Sequence, residues 1–139
     1  MIRGAPGIVE DMHTTQLYGT WELLSYYDID DANGTSTGPL GEAPRGVLIY
    51  ASHGDMSVSM MRTDGAPGAV FMGYAGTWRR EDDRLVHTIA VCSNPALAGT
   101  DQVRSAEYGG DTLTLVGSAV VEGRVQRRIL TWRRTRPSD

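Results

Sequence analysis

The sequence contains no lysine, and all 13 of its basic residues are arginines. Schiff-base catalysis and P-loop phosphate binding both require a lysine, so neither chemistry is available to this chain. The single cysteine, Cys92, excludes an internal disulfide and a CxxC site. The three histidines lie on separate segments and lack the spacing of zinc ligands. We therefore expect no metal and no cofactor.

Long apolar runs are also absent from the sequence. No stretch is long enough to span a membrane, and residues 1–11 lack the apolar core of a secretion signal. We therefore expect a cytoplasmic protein. The net charge of −4 and the pI of about 5.3 argue against nucleic acid or an anionic membrane as a partner, because both attract basic surfaces.

Helical periodicity is missing as well, whereas strand-like alternation recurs along the chain. In residues 19–28, both charged residues fall on one face of a period-two pattern, which indicates a half-buried strand. A slip of one residue would bury Glu22 and Asp28, so the alternation also predicts the register. The face predicted to point inward carries Trp21, Leu23, Ser25 and Tyr27.

Further alternating segments follow, separated by turn signals such as residues 30–34. About eight strands without a helix predict one all-β domain, an antiparallel up-and-down barrel that has no free edges. We expect an arm at residues 1–16 with a helical turn near 9–12, a barrel over 17–135 and a polar tail at 136–139. A break is expected near Gly117. The predicted strands cover residues 18–28, 46–51, 56–62, 70–79, 84–91, 101–108, 112–121 and 125–135.

Short motifs occur along this barrel in a characteristic order. They are Gly19-Thr20-Trp21, Pro39-Leu40-Gly41, Tyr74-Ala75-Gly76, Gly99-Thr100-x-Gln102-x-Arg104 and Trp132-x-Arg134. Together they resemble the bacterial and fungal lipocalin-like domain family over residues 17–135. The resemblance implies that Trp21 closes the base of the barrel and that Arg134, from the last strand, covers its ring.

The same resemblance implies a cavity for a small molecule, since some members of the family act as cyclases or isomerases beside natural-product pathways. We therefore predict a cofactor-independent cyclase or isomerase acting on a hydrophobic polyketide- or terpenoid-like molecule. A non-catalytic carrier and a filled barrel that serves as a structural or homodimeric unit are the alternatives. The family usually has a longer insertion after the third strand, whereas residues 63–68 are short here, so we expect an open mouth.

The candidate catalytic residues are His87, Arg104 and Tyr50. His87 is predicted to share an inward face with Leu85, Ile89 and Val91 and to exchange a proton near neutral pH. A core histidine bonded to a neighbour is the alternative. The alternation does not decide which face of its strand Arg104 occupies, and only the resemblance favours an inward position. There its partner would be a ligand carboxylate or enolate, an aromatic ring lying over it, or a ring of carbonyls.

The remaining candidates form the wall of the predicted cavity, in which adaptable methionines suit an irregular ligand. Cys92 is predicted to lie on the strand face opposite His87, which argues against a Cys–His nucleophile. The predicted ligand-binding residues are Ser25, Tyr27, Leu48, Met60, Met72, Tyr74, Trp78, Gln102 and Trp132.

Overall fold

A computed structural model describes residues 12–30, 34–68, 70–121 and 123–136. The helical turn predicted near residues 9–12 lies outside these ranges, apart from Met12. Two short 3-10 turns, Thr14–Leu17 and Pro95–Leu97, accompany the strands. In the part of the chain that is described, no helix is long and apolar enough to cross a membrane.

The strands lie close to the predicted positions, and the expected break near Gly117 does not occur. An additional short strand lies at Gly34–Thr37, between the first and second predicted strands. The strands are β1 Gly19–Asp30, β2 Gly34–Thr37, β3 Arg45–Tyr50, β4 Asp55–Met61, β5 Phe71–Glu81, β6 Arg84–Cys92, β7 Asp101–Tyr108, β8 Thr112–Val121 and β9 Arg124–Arg136.

The sheet closes into a barrel because β1 pairs with β9. All neighbouring strands are antiparallel, and β3 to β9 follow one another around the barrel in sequence order. The first residues of β1 pair with β3 and its last residues with β2, so these two strands share one side of β1. The predicted all-β antiparallel barrel of eight long strands is confirmed, with β2 as a short addition.

The base of the barrel is closed around Trp21, which is 0% exposed. The Cζ atom of Arg134 lies 4.3 Å from the centre of its ring, as the resemblance implies. The 3-10 turn at Thr14–Leu17 completes this base, because the indole N–H of Trp21 donates to the Leu17 carbonyl over 3.1 Å. Arg134 also donates to the carbonyls of Tyr18 and Gln16. The cation–π contact predicted at the base is therefore confirmed.

A β-bulge interrupts the alternation of β1. Leu23 pairs with Trp132 and Ser25 pairs with Thr131, which leaves Leu24 as an extra residue. The extra residue reverses the faces beyond it, because side chains alternate with a period of two. Trp21 and Leu23 are buried as predicted. Past the bulge, Tyr26, Asp28 and Asp30 are buried and Tyr27 is only half-buried, which contradicts the predicted face.

A second bulge lies near the end of β6, where Gly76 pairs with Ile89 and Ala75 with Val91. Val91 is 63% exposed, so its predicted inward position is wrong. Gly76 is required here because the Cβ of any other residue would overlap the Thr88 carbonyl oxygen. Beyond the bulge, Cys92 turns back to the inner face, so its predicted separation from His87 by strand face is also wrong.

Replacement of Arg134 should test how much the clamp on Trp21 stabilises the barrel. We expect Arg134→Met to lower the free energy of unfolding by about 2–3 kcal/mol, because a cation–π contact and two hydrogen bonds are lost. The neighbouring Arg133→Met is the control, since Arg133 makes an exposed ion pair with Glu22 and should change stability by about 0.5 kcal/mol or less. Urea unfolding measures both variants. Equal effects would contradict the structural role of Arg134.

Candidate functional site

A cavity of about 430 Å³ occupies the half of the barrel away from Trp21. Pro39, from the loop after β2, and Ser93, Asn94 and Leu97, from the loop after β6, contribute to its wall. Most of the lining is apolar, and a few polar side chains enter it from β5, β6, β7 and β9. The lining residues are Tyr26, Pro39, Leu48, Val58, Met60, Phe71, Met72, Gly73, Tyr74, His87, Cys92, Ser93, Asn94, Leu97, Gln102, Arg104, Leu115, Arg128, Leu130 and Trp132.

Most of the residues predicted for the site share this wall. Ser25 and Tyr27 do not, because the bulge at Leu24 turns both away from the cavity and brings Tyr26 there instead. Arg128 was missed, although the alternation back from Trp132 through Leu130 places it on the same face. The predicted residues found on the wall are Leu48, Met60, Met72, Tyr74, His87, Gln102, Arg104 and Trp132.

Two further predicted residues, Trp78 and Tyr50, belong to the packed base rather than to the cavity wall. The Trp78 indole donates to the Ala51 carbonyl over 3.0 Å, and its ring lies 4.4 Å from that of Tyr50. Tyr50 is 1% exposed and is absent from the lining. Both side chains face inward as predicted, but the aromatic layer that they form fills the barrel below the cavity. Direct contact of either residue with a ligand is therefore not supported.

His87 joins this buried layer to the cavity. The Tyr50 hydroxyl lies 2.6 Å from its Nε2 atom, and the Tyr74 hydroxyl lies 2.6 Å from its Nδ1 atom. Tyr50 comes from β3, Tyr74 from β5 and His87 from β6, so three strands contribute to one hydrogen-bonded row. Because both ring nitrogens of His87 already have partners, the imidazole has no free position for a ligand.

His87 is neutral at physiological pH. Burial, together with the nearby Arg104 guanidinium, lowers its pKa from 6.5 to about 3. The prediction that His87 titrates near neutral pH is therefore wrong, because sequence alternation shows burial but not its electrostatic cost. Burial also raises the pKa of Tyr74 to about 12, and the opposing effect of Arg104 is smaller. Tyr74 therefore keeps its proton.

Arg104 enters the cavity from β7 and is held there by neutral groups. It donates to the Val103 carbonyl over 3.2 Å and to the Gln102 side-chain oxygen over 3.4 Å. Gly117 leaves room for the guanidinium, since a Cβ at that position would lie 2.8 Å from Nη1 of Arg104. Among the residues that the structure describes, no carboxylate lies within ion-pair distance of Arg104.

The second cavity arginine, Arg128, does have an acidic partner. Its Nε atom lies 3.8 Å from Oδ1 of Asp28, which is too far for a hydrogen bond but close enough for an ion pair. Burial raises the pKa of Asp28, and the charge of Arg128 opposes that rise. The charge of Arg128 is thus partly compensated within the protein, whereas that of Arg104 is not.

A larger depression of about 690 Å³ lies on the outer surface beside β1, β3 and β4. Exposed apolar side chains such as Val47, Ile49 and Met61 contribute to it. It contains neither His87 nor Arg104, so the inner cavity is the better candidate site. Within the described ranges, no cluster of three or more His, Cys, Asp or Glu side chains is arranged to hold a metal ion.

Comparison with known proteins identifies the same type of barrel. A family model described as a lipocalin-like domain matches residues 18–71 and 67–135. No curated protein matches the chain. A solved structure described as a redesigned β-barrel has a TM-score of 0.47 and 14% identity, covering 91% of this chain and 100% of its own. The family match is the informative one, because it spans nearly all of the described strands.

The ionisation of His87 should appear in the pH dependence of stability. His87 binds a proton below about pH 6.5 in the unfolded chain but only near pH 3 in the folded chain. The free energy of unfolding should therefore decrease as the pH falls through this range. Between pH 7 and pH 5 we expect a loss of about 2 kcal/mol that His87→Gln removes. Unfolding by urea at each pH measures the effect.

The matched control is His53→Gln, because His53 is exposed beside Asp55. This variant should keep the loss of stability seen in the unaltered protein. Asp28, with its raised pKa, changes stability in the opposite direction, but it does so in all three proteins and cancels in the comparison. An unchanged pH dependence in His87→Gln would show that His87 is protonated as readily in the folded as in the unfolded state.

Proposed function

This chain belongs to the lipocalin-like domain family, and on that premise we propose that its cavity binds a hydrophobic small molecule and promotes cyclisation of that molecule without a cofactor. The family and the barrel indicate small-molecule binding. The cyclisation is the finer part of the proposal. It is supported by the polar groups of the cavity and by their protonation states.

The observation that carries the proposal is the position of Arg104. A buried or half-buried arginine normally has an anionic partner, because an uncompensated charge is costly to remove from water. In the described part of the chain Arg104 has only two neutral hydrogen-bond acceptors. A ligand oxygen that carries or gains negative charge would supply the missing partner.

The remainder of the wall suits an apolar ligand. Leu48, Val58 and Leu115 provide fixed aliphatic surface, and Met60 and Met72 can adapt to an irregular shape. A volume of about 430 Å³ lies in the range of small-molecule sites. The ligand best matched to this surface is therefore a largely hydrocarbon molecule with one carbonyl or carboxylate group near Arg104.

Cyclisation fits these groups because it needs shape and a polarised carbonyl rather than a protein base. Arg104 would draw electron density toward the carbonyl oxygen and make the conjugated carbon electrophilic. A conjugated diene elsewhere in the same molecule then adds across this electron-poor double bond. Three π bonds become two carbon–carbon σ bonds and one π bond, so no atom leaves and no proton is transferred. Folding the chain within the cavity supplies the proximity of the two reacting ends.

Isomerisation by proton transfer has less support. It requires a base near the ligand, whereas His87 has a pKa of about 3 and both its nitrogens are bonded. No carboxylate occurs among the described residues that line the cavity. The same observations favour a carrier as the second candidate, because binding needs only the apolar wall and Arg104.

Arg104→Met should weaken binding of an anionic aromatic probe. We expect the affinity for 2-naphthoate to fall about tenfold or more, because a charge-assisted hydrogen bond contributes roughly 1.5–3 kcal/mol. Binding of the neutral 2-ethylnaphthalene should change about twofold or less. Fluorescence titration or calorimetry measures both probes. Gly117→Ala should also weaken naphthoate binding, because the added Cβ would displace the guanidinium of Arg104.

Arg79→Met is the control, because it removes the same charge from an exposed position on β5 and should leave both affinities unchanged. Occupation of the inner cavity is checked separately through Cys92, the single cysteine, which lines that cavity and not the outer depression. Bound probe should slow its alkylation by iodoacetamide. Equal naphthoate binding by Arg104→Met and Arg79→Met would exclude Arg104 as the anion-binding group.

A catalyst, unlike a carrier, should convert its ligand into a product of the same mass. Incubated with a metabolite extract of source cells that lack this gene, the protein should deplete one compound and produce another of identical mass. Arg104→Met should slow this conversion more than it weakens binding, because the interaction strengthens as negative charge develops on the oxygen. Mass spectrometry with chromatographic separation measures both compounds.

The same incubation in heavy water separates the two reaction classes. Cyclisation without proton abstraction leaves no deuterium on carbon, whereas isomerisation through a protein base introduces it. Deuterium on carbon would therefore contradict the cyclisation proposed here. A compound that is enriched on the protein but never converted would identify a carrier.

A further inference from the structure

The two hydrogen bonds that join Tyr50, His87 and Tyr74 run in one direction from donor to acceptor, and the positions of the three residues determine that direction. A neutral imidazole carries one N–H group and one acceptor nitrogen. One tyrosine must therefore donate its proton to His87, and the other must accept a proton from it. Two arrangements are available, and they leave different hydroxyl groups with a proton to spare.

Burial of Tyr50 decides between the two arrangements. If Tyr50 accepted from His87, its own O–H would need another acceptor, and in the described part of the chain Tyr50 has no hydrogen-bond partner besides His87. An unsatisfied buried hydroxyl disfavours that arrangement by about tenfold or more. Tyr74, in contrast, lines the cavity, where its O–H can reach a bound molecule.

We propose that Tyr50 donates to Nε2 of His87, that Nδ1–H of His87 donates to the Tyr74 oxygen, and that Tyr74 donates to an acceptor oxygen of the molecule bound in the cavity. This inference rests on the proposed function for the existence of that molecule. It adds a second oxygen-binding group to Arg104 and assigns the ligand a carbonyl-type acceptor. Tyr74 is the residue that contacts the ligand, and His87 and Tyr50 are positioning residues.

The row orients the Tyr74 proton and does not transfer it to the ligand. To replace a proton lost from Tyr74, the row would have to move the His87 proton to Tyr74 and the Tyr50 proton to His87. That shift would leave a phenolate at Tyr50. That position is fully buried, and burial raises the pKa of Tyr50 well above its usual value. Each hydrogen bond in the row instead polarises the next, which strengthens Tyr74 as a donor. Such a donor polarises a carbonyl without a net proton transfer.

The direction of the row can be measured in the free, unaltered protein. Long-range proton–nitrogen NMR spectra of ¹⁵N-labelled protein show which nitrogen of each histidine carries hydrogen, and comparison with His87→Gln assigns the signals of His87. We expect hydrogen on Nδ1 of His87. Hydrogen on Nε2 would overturn the proposed direction, whatever the ligand experiments show.

The contact with the ligand is tested with 2-acetylnaphthalene, a neutral ketone, and with 2-ethylnaphthalene, which lacks the carbonyl. Tyr74→Phe should weaken ketone binding about three- to tenfold and leave binding of the hydrocarbon unchanged. The infrared carbonyl stretch of the bound ketone should move to higher frequency in this variant. Tyr50→Phe should also raise the frequency of the stretch, but by less. Tyr50 is absent from the cavity wall, and its effect is indirect: without Tyr50 as a donor, His87 competes with the ketone for the Tyr74 proton.

Tyr108→Phe is the matched control, because Tyr108 is a buried tyrosine outside the cavity and its loss should leave the carbonyl stretch unchanged. Unchanged ketone binding and an unchanged stretch in Tyr74→Phe would overturn the inference while the proposed function survives. If 2-acetylnaphthalene, 2-ethylnaphthalene and 2-naphthoate all fail to bind the unaltered protein, the proposed function and the ligand contact of Tyr74 fail together. The NMR result then decides the direction of the row alone.

Discussion

The pairing of β1 with β9 is the constraint on which the rest of the molecule depends. It joins the two ends of the sheet and removes the free edges that an open sheet would expose. Arg134 secures this seam at the base by covering Trp21, so that water is excluded from the ring. The buried position of His87 and the enclosed cavity beside Arg104 both follow from the closure, because an open sheet would leave them in contact with solvent.

Within that closed space, the charge of Arg104 acts both on the ionisation of His87 and on the ligand proposed for the cavity. Arg104 disfavours a second positive charge nearby, which contributes to the low pKa of His87 after burial itself. The same field favours negative charge on a bound molecule. Under the proposed function, the cavity would therefore favour carbonyl compounds and anions over amines and other cations.

Much of this architecture could be predicted from the sequence because it depends on local patterns. The strand positions follow from alternation and turn residues, and Trp21 with Arg134 follows from the family motifs. The site was predicted less completely, since Leu24 and Ala90 look like ordinary strand residues. A bulge arises from pairing across strands, so only the assembled sheet shows that the faces reverse beyond it.

The protonation states of the site could not be predicted from the sequence either, for a related reason. His87 lies between Leu85 and Ile89, and this pattern correctly indicates an inward position. It does not reveal that Tyr50 and Tyr74, from strands distant in sequence, satisfy both ring nitrogens. Burial and hydrogen bonding depend on these distant neighbours, and together they turn the expected acid–base residue into a neutral support.

The bulge at Leu24 also gives the barrel a position at which evolution can change the length of the chain. Deleting that one codon would remove the extra residue and restore simple alternation, while Tyr26 and Asp28 would keep their inward faces because their pairing with β9 does not change. The base around Trp21 precedes the bulge and would keep its register. A deletion at this position can therefore shorten β1 by one residue without exchanging any residue of the cavity wall, whereas a deletion at a regularly paired position would reverse the faces beyond it.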